Sequence, residues 1–249
     1  MNDILILTLL TAIGSIAGLI GGVLFLLNKD LARKLTRYAV PFAAGVLLAV
    51  SILHLIPEAA GELGEEAYLV VLAAFIGSFL FEQYLASLHH HEEKEVTLQR
   101  ASIPLIIFGD TIHNFIDGVT IAAAFATNPS FGVVVTLATF LHETPHEIGD
   151  FGVLISLGWS KANTFKTNFL SALATFPGAF ITYFFLQDAH KEVAILLAIS
   201  GGIFLFLGAS DFLPEVKHRK VESGKWKEVA FVLLGIIVMY SLSFITPEH

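Results

Sequence analysis

Residues 131–157 read FGVVVTLATFLHETPHEIGDFGVLISL, an apolar run with a group of ionisable residues at its centre. A helix needs about 20 mainly apolar residues to cross a bilayer, so this run predicts a membrane span. Ionisable side chains are costly at that depth and usually mark function. Two of them, His142 and His146, stand at i and i+4 and share a helix face. A stripe on the same helix contains Glu143, His146, Glu147 and Asp150. Imidazole beside carboxylate favours a divalent transition metal.

The composition predicts an all-α, polytopic membrane protein. Of the 249 residues, 55% are hydrophobic and 14% are charged, whereas soluble domains carry about 25% charged residues. The mean hydropathy is +0.75, and this excess of apolar surface has to face lipid. The chain has no cysteine, which excludes a disulfide framework and a thiolate metal site.

Eight apolar runs predict eight transmembrane helices in a single transmembrane domain, residues 1–249. The expected spans 1 to 8 are residues 4–27, 38–55, 67–88, 102–127, 131–157, 165–186, 193–213 and 229–245. Lysine and arginine collect on the cytoplasmic side of membrane proteins. The loops after spans 1, 3, 5 and 7, with the helix ends beside them, hold every basic residue except Lys191. We therefore expect both termini on the outer side of the cell membrane.

Span 4 carries a second polar stripe at i, i+3, i+4 and i+7, formed by Asp110, His113, Asn114 and Asp117. Only a short link, residues 128–130, joins spans 4 and 5, so the two helices should be antiparallel neighbours. Their polar stripes then face each other at one depth. No lysine or arginine lies between Arg100 and Lys161, so protonation or a cation has to offset the buried carboxylates.

Further polar residues lie along an expected cation path. His54 and Glu58 begin an acidic outer mouth, for which a solvated loop is the alternative explanation. In span 6, Asn168 offers an oxygen ligand, with a hydrogen bond between helices as the alternative. The expected cytoplasmic loop, residues 89–101, begins with three histidines, His89, His90 and His91. They predict a flexible metal-capturing tract, for which a solvated loop without a role is the alternative explanation.

The two polar segments resemble the signature segments of the ZIP (Zrt/Irt-like) metal transporters. Residues 113–118 read HNFIDG and residues 142–150 read HETPHEIGD, which is similar to the HNxxDG and HExPHExGD motifs of one branch of that family. Residues 54–58, the histidine-rich loop and the arrangement of eight spans with both termini outside also fit. The resemblance covers essentially the whole chain and implies a transporter, not an enzyme, that moves Zn²⁺ into the cytoplasm.

The resemblance also implies where the metal binds. A binuclear site is expected between spans 4 and 5, and the ligands of its first metal would be His113, Asp117, His142 and His146. The second metal would be bound by Asn114 and Glu143, with Glu147 as a further ligand and His146 shared. Some family members place another carboxylate on span 6, which here has no acid between Phe165 and Leu186. An elevator-like motion is implied, with spans 1, 4, 5 and 6 moving against the others.

Asp110 and Asp150 extend the two stripes toward the cytoplasm from opposite helices. We expect them to form the first step of an exit path, and the alternative is that they only accept hydrogen bonds. Zn²⁺ is the expected substrate, and the donor set leaves Fe²⁺, Mn²⁺, Co²⁺ and Cd²⁺ open. The expected partners are divalent metal ions and the lipid bilayer, with no nucleic acid, and the sequence leaves a homodimer open.

Two other functions use the same residues. His142, Glu143 and His146 also match H-E-x-x-H, a zinc hydrolase pattern in which the glutamate is the general base. An intramembrane zinc metalloprotease is therefore the alternative among enzymes, although Pro145 removes a backbone hydrogen bond from the helix that holds both ligands. A metal-binding protein without transport is the third class. The series of acids and histidines across the membrane favours transport instead.

Overall fold

The structure, a computed structural model, describes residues 3–87, 103–186, 189–214 and 225–244. Every regular element in these residues is helical, which confirms the all-α prediction. The expected histidine-rich loop, residues 89–101, lies outside the described residues.

In chain order the helices are α1 (Asp3–Gly14), α2 (Ile20–Leu27), α3 (Lys29–Val50), α4 (Ile56–Leu63), α5 (Glu66–Ser87), α6 (Ile103–Thr127), α7 (Pro129–Ser156), α8 (Lys161–Ala172), α9 (Thr175–Leu186), α10 (His190–Phe206) and α11 (Lys225–Leu242).

Within the described residues, five helical runs are long and apolar enough to cross a membrane. They are Asp3–Leu27, Lys29–Leu63, Glu66–Gln83, Lys161–Leu186 and His190–Phe212. The helices α6 and α7 are not among these five, because they carry the two polar stripes. Their polar residues turn inward, since Asp117, His142 and Glu143 are at most 1% exposed. The chain is thus a multi-pass membrane protein with a polar interior.

The second of these runs extends well beyond the expected span 2, because the helix does not stop at Pro57. α3 and α4 join through a π-helical turn over Ser51–Leu55, and Pro57 lies in the first turn of α4. A proline ring clashes with the carbonyl four residues earlier, and a widened turn relieves that clash. A second π-helical turn, over Leu207–Phe212, precedes Pro214 in the same way.

The two π-helical turns lie in segments with the same spacing of glycine and proline. Residues 54–57 read HLIP and residues 211–214 read DFLP, and Gly45 and Gly202 each precede the corresponding proline by twelve residues. A Cβ at Gly45 would overlap a carbonyl oxygen of α11, and one at Gly202 would overlap a carbonyl oxygen of α5. In both segments the glycine therefore allows close packing on the backbone of another helix, α3 on α11 and α10 on α5.

α6 and α7 form the antiparallel hairpin that the short link predicts. Asn128 caps α7 by accepting a hydrogen bond from the backbone nitrogen of Ser130 (2.8 Å), and Pro129 takes the first helical position. α2 packs on α7 where a Cβ at Gly21 would overlap a carbonyl oxygen, and α9 packs on α6 in the same way at Gly118. These close approaches enclose the polar faces of the hairpin.

Packing divides the described helices into two groups. α1, α2, α8 and α9 pack on the α6–α7 hairpin, and we call these six helices the hairpin group. α3, α4, α5, α10 and α11 pack mainly on one another, and we call them the outer group. The two groups meet mainly where α3 contacts α2 and α7 and where α10 contacts α6.

Candidate metal centre

Four donors from α6 and α7 converge in what we call cluster A: His113, Asp117, His142 and Glu143. One ligand atom from each lies within 4.8 Å of all the others. His113 and Asp117 point the same way because they stand at i and i+4 on α6. The side chain of His113 is 12% exposed, and those of the other three are 1% exposed. Cluster A is therefore largely shielded from water.

The distances within cluster A suit a tetrahedral ion. Nε2 of His142 lies 3.3 Å from Nε2 of His113, 3.4 Å from Oδ2 of Asp117 and 3.6 Å from Oε1 of Glu143. Zinc bonds of about 2.0–2.2 Å place tetrahedral ligands about 3.3–3.6 Å apart. Nε2 of His113 is 2.8 Å from Oε1 of Glu143 and 3.8 Å from Oδ2 of Asp117. Small side-chain shifts would complete the coordination polyhedron.

The lone pairs of cluster A are available to a metal. Nδ1 of His142 donates its hydrogen to the carbonyl oxygen of Ala138 (3.0 Å), which leaves Nε2 of the neutral ring free to bind. Both carboxylate oxygens of Asp117 and Oε2 of Glu143 are buried without a hydrogen-bond partner in the described part of the chain. Unpaired buried carboxylate oxygens are costly, and a cation between them offsets that cost.

A second group of donors, which we call cluster B, consists of Asp110, His146 and Asp150. Their ligand atoms also lie within 4.8 Å of one another, and Nδ1 of His146 is 3.7 Å from Oδ2 of Asp150. The ring centroids of His113 and His146 are 5.1 Å apart, so the two clusters are neighbours. Asn114 donates to Oδ1 of Asp110 (2.9 Å) and holds that carboxylate in place.

A cavity of about 500 Å³ lies between α5, α6, α7 and α10 and borders both clusters. α6 and α7 contribute Asp110, His113 and His146 to its wall, and the facing wall contributes Glu82 of α5 and Asp211. The rest of the wall is mainly apolar. Glu82 and Asp211 are not among the site residues expected from the sequence. A comparison of the two Gly–Pro segments could have pointed to Asp211, which precedes Pro214 by three residues as His54 precedes Pro57.

The structure groups the predicted ligands differently from the binuclear scheme implied by the resemblance. Glu143 lies in cluster A and His146 lies in cluster B. Asn114 is fully buried, and its amide oxygen accepts a hydrogen bond from the hydroxyl of Thr175 (3.3 Å). Glu147 is 1% exposed and belongs to neither cluster, and its two oxygens have no hydrogen-bond partner within the described residues.

Of the predicted pathway residues outside the hairpin, the three that the structure describes do not join these clusters. His54 is buried, and its Nε2 lies 3.1 Å from the carbonyl oxygen of Met239. Glu58 lines a small surface pocket with Glu62 and His190. Asn168 is buried and donates to a carbonyl oxygen of its own helix (2.8 Å). His89, His90 and His91 lie outside the described residues.

Two hydroxyls of the expected span 6 make hydrogen bonds between helices. Ser171 of α8 lies 3.0 Å from the hydroxyl of Thr111 in α6. Thr175 of α9 donates to Asn114, also in α6. These bonds fix α8 and α9 against the face of α6 that carries the metal-ligand candidates.

A family model matches most of the chain, and individual known proteins match about half of it. A family model described as "ZIP Zinc transporter" matches residues 3–103 and 89–243. The chain is 38% identical over 130 residues to zinc transporter ZIP10 of Danio rerio, a match that covers 52% of this chain and 15% of that protein. It is 39% identical over 110 residues to zinc transporter ZIP4 of Homo sapiens, covering 44% and 17%. It is 36% identical over 137 residues to zinc transporter foi of Drosophila melanogaster, covering 54% and 19%. The matched stretches are thus less than a fifth of each of these relatives.

Proposed function

Because the chain belongs to the ZIP zinc transporter family, we propose that it carries Zn²⁺ across the cell membrane into the cytoplasm through the donors of α6 and α7. The observation that carries this proposal is cluster A, in which four buried donors stand at distances that suit one tetrahedral zinc ion. The relatives are named zinc transporters. The motifs also predict Asn114 and Glu147 as ligands, and we keep both in the proposal. The amide oxygen of Asn114 and the carboxylate oxygens of Glu147 each have a lone pair that could bind metal.

The position of the cavity supports transport into the cytoplasm. Its wall includes Glu82 near the end of α5 and Asp211 near the end of the α10 run, which lead into loops that the basic residues assign to the cytoplasm. On the other side of cluster A, the hydroxyl of Thr120 donates to that of Ser200 (2.7 Å), and the ring of Phe204 packs 5.3 Å from that of His142. This arrangement would be that of a transporter open to the cytoplasm, in which Asp110 and Asp150 begin the proposed exit.

An elevator-like motion supplies access from the outer side. The hairpin group carries all the donors of clusters A and B, and it contacts the outer group mainly along α3 and α10. Sliding of one group against the other would move cluster A relative to the hydrogen bond between Thr120 and Ser200. Close packing within each group, at Gly118 and at Gly45, favours motion of each as a unit.

The metalloprotease alternative finds no support in the geometry. A zinc hydrolase of the H-E-x-x-H type needs both histidines on one ion and the glutamate free to act on water. Here His142 and His146 lie in different clusters, and Oε1 of Glu143 is 2.8 Å from Nε2 of His113. Glu143 is thus a member of the donor set of cluster A.

Uptake of metal into liposomes tests the proposal. Purified full-length protein is reconstituted, and the entry of Zn²⁺, Fe²⁺, Mn²⁺, Co²⁺ and Cd²⁺ is measured against protein-free liposomes. We expect saturable Zn²⁺ entry, with the other ions ranked by competition. Absence of entry for every ion, from protein that still binds zinc, would favour a binding protein without transport. Running the assay across a dilution series, with crosslinking to score dimers, also tests the homodimer that the sequence leaves open.

A further inference from the structure

We infer that the cavity between α5, α6, α7 and α10 is a binding site for a lipophilic amine, a molecule with a compact apolar body and a protonated amino group. The bound amine lies across the route by which metal leaves the donors of α6 and α7, and it therefore inhibits transport. The inhibition rests on the proposed function, whereas the binding of the amine does not.

The first support is the size and the composition of the cavity. Its volume of about 500 Å³ falls within the range of about 300–1,000 Å³ that is typical of sites for small organic molecules. Much of the wall is apolar and comes from α6 and α10, through Ile112, Ile116, Ile203 and Phe206. A hydrated metal ion gains nothing from such a wall, but the apolar body of an organic ligand does.

The second support is the sign of the charge. The ionisable residues of the wall are Glu82, Asp110, His113, His146 and Asp211, and no lysine or arginine lines the cavity within the described part of the chain. Carboxylates in a mainly apolar enclosure attract a cation and repel an anion. The cavity therefore selects an amine over a carboxylic acid or a phosphate of the same size.

The third support is the placement of the carboxylates on opposite walls. Asp110 of α6 is 6% exposed, and its Oδ1 accepts a hydrogen bond from the amide nitrogen of Asn114 (2.9 Å), which holds it in place. Glu82 of α5 and Asp211 line the facing wall. A protonated primary amine has three N–H donors, and its hydrogen bonds to carboxylates are charge-assisted. The acids thus supply the few polar groups that orient a ligand in an apolar site.

The fourth support is a gap between α5 and α6 through which an apolar molecule can enter. α5 packs on α4 and α10, and among the described helices it makes no extensive contact with α6. Gly77 of α5 and Gly109 of α6 both line the cavity, yet a Cβ at either position would meet no atom of another helix within 4 Å. Gly77 lies in the run Glu66–Gln83, which is apolar enough to cross a membrane. An amine dissolved in the bilayer can therefore reach the cavity from the side.

Zinc and the amine should oppose each other. Asp110, His113 and His146 border the cavity and belong to the two donor clusters. A metal ion held by the donors of α6 and α7 and an amine in the cavity carry charge of the same sign. Each therefore weakens the binding of the other, and by the same factor.

The test is the binding of adamantylamine, a rigid apolar cage that carries one amino group. Radiolabelled probe is titrated onto full-length protein in phosphatidylcholine nanodiscs, and binding to empty nanodiscs is subtracted. We expect saturable binding. Adamantanol and adamantane carboxylate share the cage but lack the cationic donor, so each should displace the probe at least about tenfold less well.

Two kinds of variant locate the site. Gly77→Leu places a side chain in the cavity and changes no metal donor, so it should weaken binding of the amine at least about tenfold. Gly61→Leu is the matched control, because Gly61 also has open space around its Cβ position but lies in α4 and does not line the cavity. Glu82→Gln combined with Asp211→Asn should lower the preference for the amine over adamantanol and leave adamantanol bound. Each variant must elute as a single species.

In liposomes, adamantylamine should inhibit Zn²⁺ entry through the unmodified protein and, at the same concentration, inhibit the Gly77→Leu variant less. Absence of saturable binding overturns the inference, as does displacement by the carboxylate as strong as that by the amine. Unchanged affinity in folded Gly77→Leu also overturns it, and binding without inhibition overturns the block of transport. Failure of the proposed function has a different signature, namely an amine bound with the expected selectivity by a protein that admits no Zn²⁺.

Discussion

His142 and His146 stand at i and i+4 on one helix, yet their surroundings differ. His142 is fully buried, donates through Nδ1 to Ala138 and packs against Phe204. The side chain of His146 is 30% exposed and lies beside the cavity. The surroundings of His142 therefore suit a closed metal site, and those of His146 suit exchange of metal with the cavity.

At this scale we predict that His142→Ala abolishes zinc uptake. The variant removes a donor whose Nε2 lies within 3.6 Å of each of the other three donors of cluster A. Even changes one step away from a metal cost 10–100-fold in affinity, so the loss should exceed about 100-fold. The measurement is uptake at limiting Zn²⁺ by reconstituted protein. Tyr68→Ala, which removes a ring that is 58% exposed, is the control and should transport normally. Near-normal uptake by His142→Ala would exclude cluster A as the transport site.

Among the helical elements, close approach of backbones positions the donors. A Cβ at Gly118 would overlap the carbonyl oxygen of Thr175, and one at Gly178 would overlap that of Phe115. α6 and α9 therefore touch along their backbones, as helices with small residues do in membranes. The same approach brings the hydroxyl of Thr175 to Asn114.

We accordingly predict that two glycine substitutions differ in their effect on thermal stability. Gly118→Ala forces α9 away from α6 and should destabilise the protein by about 1–3 kcal/mol, as overpacking does. Gly61→Ala places a methyl group where nothing lies within 4 Å, in the helical segment α4. Gly61→Ala should leave the midpoint of thermal unfolding unchanged or raise it, because alanine stabilises a helix more than glycine does. The midpoints are measured by thermal shift in detergent, and equal midpoints would contradict the tight contact.

At the scale of the whole molecule, the two groups of helices meet near the hydrogen bond between Thr120 of α6 and Ser200 of α10. We predict that a disulfide formed between Thr120→Cys and Ser200→Cys stops zinc uptake. The crosslink joins the hairpin group to the outer group and prevents sliding between them. Uptake should recover on reduction, so each sample is its own control.

The control for that experiment is a pair of cysteine substitutions within the hairpin group. Thr111→Cys with Ser171→Cys joins α6 to α8, whose hydroxyls are 3.0 Å apart, and both helices should move together. Oxidation should therefore leave uptake at the level of the reduced sample. Transport that survives the first crosslink, with the disulfide shown to be complete, would exclude relative motion of the two groups.

The sidedness of the molecule can be tested because the chain has no cysteine. Glu62→Cys, at the end of α4, should react with an impermeant maleimide added outside intact cells. Ala162→Cys, in the first turn of α8, should react only after the membrane is opened. Both positions are exposed in the structure. The reverse pattern would invert the orientation that the basic residues predict and, with it, the direction of transport.

The all-α membrane fold, the α6–α7 hairpin and the residues of its polar stripes were predictable from the sequence. These features are local: a span needs a certain length of apolar residues, a stripe needs helical spacing, and antiparallel neighbours need a short link. The motifs also identified the family. The end of the helical run Lys29–Leu63 was not predictable from the sequence. The π-helical turn over Ser51–Leu55 lets this helix continue past Pro57.

Only the tertiary structure decided how the donors divide between two clusters and what faces them. Helical spacing places His142, Glu143 and His146 near one face, but the rotation of α6 and α7 about their axes decides which atoms meet across the hairpin. That rotation is set by backbone contacts such as those at Gly21 and Gly118. Glu82 and Asp211 reach the cavity through helices distant in sequence. Such pairings come from packing, which no local pattern of residues specifies.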